Sequence, residues 1–141
     1  KIDLNKIPKG KLRIKNEIYI NKPTGAFWTS THNRLGSDWI DLAKSGFDWG
    51  DDLASALLLK SKGGKILHIK SDKDYQRVYE KFPNDDSDKE WLDWEAISKR
   101  FDAVHISDSA LYNDNLWGWD VESTAWFNMQ NLEIDKIIEL K

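Results

Sequence analysis

The sequence predicts an α+β fold in a single domain, with the two ends of the chain meeting in antiparallel sheet. Three observations predict it. Helical periodicity is confined to residues 37–101, alternating apolar segments lie at both ends, and 141 residues suffice for one core but not for two. The domain is expected to span 1–141, with 1–10 as an irregular lead-in containing Pro8 and Gly10.

The elements follow in order. KLRIKNEIYI (11–20) alternates at Leu12, Ile14, Ile18 and Ile20 and reads as two short strands bent at Asn16 and Glu17. NKPTG (21–25) is a turn, because Pro23 fixes its own φ and Gly25 tolerates a positive one. AFWTST (26–31) has strand composition. Ser37 can cap a short helix on Trp39, Ile40, Leu42 and Ala43 that ends at Gly46, and FDWGDD (47–52) is loop.

ASALLLKS (54–61) reads as a buried strand, with a helical turn as the alternative over so short a run. Gly63 and Gly64 mark a turn before the strand KILHIK (65–70). Ser71 with Asp74 starts a helix whose apolar face is Tyr75, Val78, Tyr79 and Phe82, and Pro83 stops it. After the loop 84–89, WLDWEAISKRF (91–101) forms a second amphipathic helix, on Trp91, Trp94 or Leu92, Ile97 and Phe101. AVHIS (103–107) is a strand, 108–115 a loop, LWGWDVESTAWFN (116–128) a central strand and IDKIIEL (134–140) a last strand. Trp39, Trp91 and Trp94 are expected in the core.

Composition excludes several functions. A net charge of −3 argues against affinity built on a phosphate backbone. The cluster Lys6, Lys9, Lys11, Arg13, Lys15 and Lys22 is the one candidate anion-facing surface, with a solvated edge as the plainer reading. There are no cysteines, so disulfides and thiolate metal sites are out. His32, His68 and His105 lack the close spacings of zinc ligands, and we expect no metal. No serine-hydrolase elbow, P-loop or dinucleotide fingerprint is present. With no signal peptide or membrane-length apolar run visible, we expect a soluble, cytoplasmic protein without a membrane partner.

Chemistry concentrates at the central strand. In extended backbone Asp120 and Glu122 share a face, with Trp117, Trp119 and Trp126 close by, as in a lined cleft. A carboxylate there can act as acid or base, or stabilise a cationic sugar carbon. The second use needs hydroxyl donors and an aromatic wall, and Trp28, Thr29, Ser30 and Thr31 supply those residue types.

The order of these elements resembles a known family. Arg13 on an early strand, Trp28 to Thr31, and Asp120-Val121-Glu122 run as in the Arg–Ser–Glu class of ADP-ribosyltransferases. FDAVHIS followed by WDVESTAWFNMQNLEIDKI is similar to the ending of small bacterial and phage-borne members. The resemblance implies split antiparallel sheets that grip NAD as substrate, with two or three helices. It implies Glu122 against the nicotinamide ribose, Ser30 with Thr29 and Thr31 ordering the site, Arg13 at the pyrophosphate and Trp28 on the nicotinamide ring. Lys22 and Arg34 are the other cations that suit Arg13's role. Asp120, where the family has Gln or Glu, would help choose the acceptor, a macromolecule or water. The contrasting expectation is a non-catalytic, tryptophan-rich module that binds a protein. Single-stranded nucleic acid stacked on tryptophan is disfavoured by the acidic balance.

Overall fold

The computed structural model of the chain describes residues 3–33, 36–38, 40, 41 and 55–139. Its elements are β1 (Phe27–Thr29), β2 (Ser55–Ser61), β3 (Ile66–Ile69), α1 (Asp72–Lys81), α2 (Trp94–Ser98), β4 (Ala103–Ile106), β5 (Ser123–Trp126) and β6 (Leu132–Glu139). The strands form two sheets, one in the order β1-β5-β4-β3 and a ribbon of β2 with β6. The fold is therefore α+β with split sheets. The β3–β4 ladder is parallel and the others antiparallel. A helical crossover through α1 and α2 returns the chain to its starting end, and that makes the parallel pair. The ends of the chain meet as expected, through β1 on β5 and a bridge from Lys11 to Asn128.

Register assigns the faces. Phe27 and Thr29, Trp126 and Thr124, Ala103 and His105, and Ile66 and His68 stand opposite one another across the four-stranded sheet, so all project to one side. The intervening residues project to the other. There Leu67, Ile69, Val104, Ile106 and Ala125 meet Tyr75 and Val78 of α1 and Trp94 and Ile97 of α2 in the main core. Fully burying each large apolar side chain contributes about 1.5–3 kcal/mol. A smaller cluster of Ala103, Trp126 and Met129, with Phe27, Ile66 and Leu132 against it, occupies the first side.

Helix α1 forms as its apolar spacing requires. Ser71 accepts from the Asp74 amide at its start, and Tyr75 and Val78 are buried. The second helix is shorter than 91–101. Asp93 caps it by accepting from the Ala96 amide, and Leu92 is held outside it in a bridge to Pro83. Trp94 is in the core, Trp91 is only partly buried, and Trp39 lies outside the described residues.

Segment 11–20 does not form strands. Its described backbone bridges are isolated ones, Lys11 to Asn128 and Lys15 to Thr24; Ile14 is buried in the core while Ile18 is 76% exposed. The reason is side-chain competition for the backbone. The Asn16 side-chain Oδ1 accepts from the amides of Trp94 and Glu95, and the Asn21 Oδ1 from the Leu92 amide and the Trp94 indole. The chain is pinned at those two asparagines and bulges outward between them.

The long central strand is likewise shortened to Ser123–Trp126. A 3-10 turn over Asp114–Leu116 and Gly118 at φ 96° turn the chain first, so 120–122 has no strand alternation. Loop 108–115 contains a second such turn, at Asp108–Ala110, and the lead-in one at Leu4–Lys6. Strand β2 is half-buried rather than buried. Of the helix expected at 37–46, the described part shows the Asp41 amide donating to the Ser37 carbonyl, and the rest, with loop 47–52, lies outside the described residues. Among the described residues no helix is long and apolar enough to cross a membrane.

Candidate functional site

Glu122 is 8% exposed and stands one residue before β5, facing the side on which Thr29, His105 and Thr124 lie. Ser30 and Thr31 leave β1 just opposite. Oε1 of Glu122 accepts from Ser30 Oγ at 3.0 Å and from the Thr31 amide at 3.0 Å. Oε2 accepts from Thr31 Oγ1 at 2.7 Å and meets His105 Nε2 at 2.5 Å. A carboxylate offers about four lone-pair positions, and all are engaged.

Burial alone would push this carboxyl up. The Thr31 hydroxyl and amide, His105 and Ser30 outweigh it and hold the pKa below the usual glutamate value. An anion is therefore built in just before β5, an inner strand of the sheet. His105 packs edge-on to His68 at 5.5 Å between centroids. His68 is itself held below the ordinary histidine value by desolvation, then by His105 and Lys70.

Two cavities adjoin this cluster: Thr31 lines both, Ser30 the first and Glu122 the second. The first, of about 690 Å³, opens between the two sheets, with Phe27, Trp28, Trp126, Leu57, Leu59 and Ile138 among its walls, and includes Ser30 and Thr31. The second, of about 580 Å³, is polar: Asn33, Ser37, Asp38, Ser107, Asp108 and Glu122 are on its surface, with Thr31 and His105. Asp38 is pushed above the usual carboxylate range by desolvation and then by neighbouring Asp108.

The expected residues divide. Glu122, Ser30 and Thr31 come together as one cluster. Thr29 stands beside them but accepts from the Trp126 indole at 3.0 Å, and so fixes the cavity wall. Trp28 borders the apolar cavity, but strand alternation turns its ring to the core face, edge-on to Trp119 at 4.7 Å with Lys22 over it, so it is not placed to stack on a ring in the cleft as expected. Asp120 is exposed and lines neither cavity, because the chain is not extended there. Arg13 is exposed and lines neither cavity as well; its carbonyl abuts Gly25. Lys22 sits by Trp28 rather than Glu122, and Arg34 lies outside the described residues. Of the expected tryptophans, Trp126 lines the cleft, Trp119 is core and Trp117 is 78% exposed.

His105 is the residue that sequence reasoning passed over. Its signal was its place in AVHI: between buried Val104 and Ile106, it must project to the face away from the core. Among the described residues no three His, Cys, Asp or Glu side chains are placed to hold a metal ion. Comparisons with protein-family models, curated proteins and solved structures give no significant match.

Proposed function

We propose that the protein cleaves the nicotinamide–ribose bond of NAD and passes ADP-ribose to a macromolecule or to water. One observation carries this reading: a carboxylate held anionic by hydroxyl, amide and imidazole donors on the wall of a polar cavity, bonded to Thr31, which also lines the apolar one. The apolar cleft suits a flat heteroaromatic ring between Phe27 and Trp126 on one sheet and Leu57 and Leu59 on the other. As the C1′–N bond breaks, its electron pair returns to the ring nitrogen and neutral nicotinamide leaves. The cationic sugar carbon is stabilised by Glu122. The acceptor approaches through the polar cavity, its oxygen or nitrogen bonds to C1′, and its proton passes to solvent water there.

Because all four positions on Glu122 are engaged, a ribose hydroxyl must displace one donor. Thr31 is exposed and borders both cavities, so its hydroxyl is the one free to turn away. The order Trp28 to Thr31 and then Glu122, which resembles the Arg–Ser–Glu ADP-ribosyltransferases, agrees with this use of the carboxylate.

The test is release of nicotinamide from NAD. We expect turnover in the wild type and a loss of about 100-fold or more in kcat for Glu122→Gln, with its far-UV spectrum unchanged. A Glu122→Gln variant of undiminished kcat would sink the assignment.

A second reading, a protein-binding module, is favoured by the exposure of Ile18, Tyr19, Tyr112 and Trp117. Ile20 and Lys22 reach Gly118, so the 18–22 loop lies against the loop bearing Trp117. That reading predicts no response to millimolar NAD in melting temperature or nicotinamide release.

A further inference from the structure

The donors that surround Glu122 are not equally anchored. Glu122 precedes β5, and Ser30 and Thr31 follow β1, so all three stand beyond the ends of their ladder. His105 is different. It lies inside β4, paired on one side with Thr124 of β5 and on the other with His68 of β3. Its ring is further confined by the edge contact with His68. Thus His105 is the one side-chain partner of Glu122 that is fixed by a ladder on both sides.

Proton placement on this ring follows from its surroundings. Nδ1 is buried with no hydrogen-bond partner among the described residues, while Nε2 faces a carboxylate oxygen at 2.5 Å. A buried N–H without an acceptor is rarer and costlier than a bare lone pair. The proton therefore resides on Nε2 and is donated to Glu122. Carboxylate orientation by an imidazole N–H is the reverse view of the carboxylate–histidine pairs that fix a ring's tautomer elsewhere.

We propose that His105 is the positioning residue of the site: through Nε2–H it holds Oε2 of Glu122 and fixes the carboxylate on the wall of the polar cavity, beside Thr31, which borders both cavities. This deepens the NAD reading and rests on it for its kinetic consequence. Thr31 can then yield its place to a substrate hydroxyl without releasing the carboxylate, because His105 keeps hold of it.

The experiment compares wild type, His105→Leu and His105→Gln in nicotinamide release from NAD, and reads the ring directly by long-range 1H–15N correlation. With three histidines in the chain, the spectrum is assignable from single variants. We expect the wild-type ring to carry its proton on Nε2. In His105→Leu, kcat should fall about 100-fold with KM for NAD changed by less than about threefold, and Gln, whose amide nitrogen reaches the Nε2 position, should restore kcat to within about tenfold of wild type.

A bare Nε2, with the ring proton on Nδ1 alone, would overturn the inference whatever the kinetics. So would a Leu variant with wild-type kcat, or Leu and Gln variants equally impaired while folded. If the wild type carries the proton on Nε2 but releases no nicotinamide, the NAD reading fails and the positioning of Glu122 by His105 stands.

Discussion

At the scale of single residues, two side chains are asked to do most of the work, and each can be tested. Asn21 is buried, and its amide donates to the Tyr75 hydroxyl and the Asn115 carbonyl while its oxygen accepts from the Leu92 amide and the Trp94 indole. Asn21→Ala would leave two buried N–H groups unpaired and should cost about 2–4 kcal/mol in urea unfolding. A loss below about 1 kcal/mol would mean that water replaces the side chain. Glu122 makes the second prediction. Its folded-state pKa lies below the ordinary value of 4.5, so in acid the unfolded chain takes up the proton first. The stabilisation is complete above that ordinary value and is lost as pH falls through the depressed one. The stability difference between wild type and Glu122→Gln should therefore narrow below about pH 4.5, and a gap constant from pH 7 to 3 would contradict the bond set described. Glu122, Ser30 and Thr31 were legible in the sequence because the carboxylate and the hydroxyls each stand in a run with strand character. His105 and Asn21 were not: no short run marks either as a polar partner, and the register that brings them to Glu122 and to Tyr75, Leu92, Trp94 and Asn115 is not displayed by one sequence.

At the scale of elements, local signals succeeded where one segment decides its own structure. The apolar spacing of Tyr75 and Val78, the Ser71 cap and Pro83 define α1 without help from the rest of the chain. The alternations ILHI and AVHI mark β3 and β4 equally well. Signals failed where side chains outcompeted the backbone ladder: at 11–20, where Asn16 and Asn21 capture the amides of α2 and its approach, and at 116–122, where a 3-10 turn intervenes. The turn at Gly25 was read correctly and carries a prediction. At φ 95° a Cβ there would lie 2.2 Å from the Arg13 carbonyl oxygen. Backbone cannot swing aside as a side chain can, so Gly25→Ala should cost about 2 kcal/mol or more through strain and contact together. Because the bridge between Lys15 and Thr24 sets the entry to β1, the same substitution should shift Ser30 and Thr31 and lower nicotinamide release beyond the loss in folded fraction. A stable Gly25→Ala protein with full turnover would show that this close approach is dispensable.

At the scale of the whole molecule, the pairing of β2 with β6 joins residues 55–61 to 132–139, and no local pattern announces such a partner. That ribbon covers the apolar cleft without sharing a ladder with the four-stranded sheet. Its residues Ser55–Leu59 are only half-buried, and most of β6 is exposed, whereas every residue of β5 is buried. Few buried apolar contacts and exposed hydrogen bonds place an element at the low end of local stability. Native-state hydrogen exchange should thus show the β2–β6 amides opening well before those of β4 and β5, in a step smaller than global unfolding. If NAD occupies the cleft, the ribbon closes one wall of its site, and a ligand bound only to the closed form at about 100 times its Kd slows that opening by about 100-fold, or 2.7 kcal/mol. Protection by NAD confined to the ribbon and to the residues around Thr31 would tie the cleft to the ligand. Uniform protection would instead indicate that the ribbon unfolds only with the core, and an unchanged ribbon in millimolar NAD would take the nucleotide out of the cleft altogether.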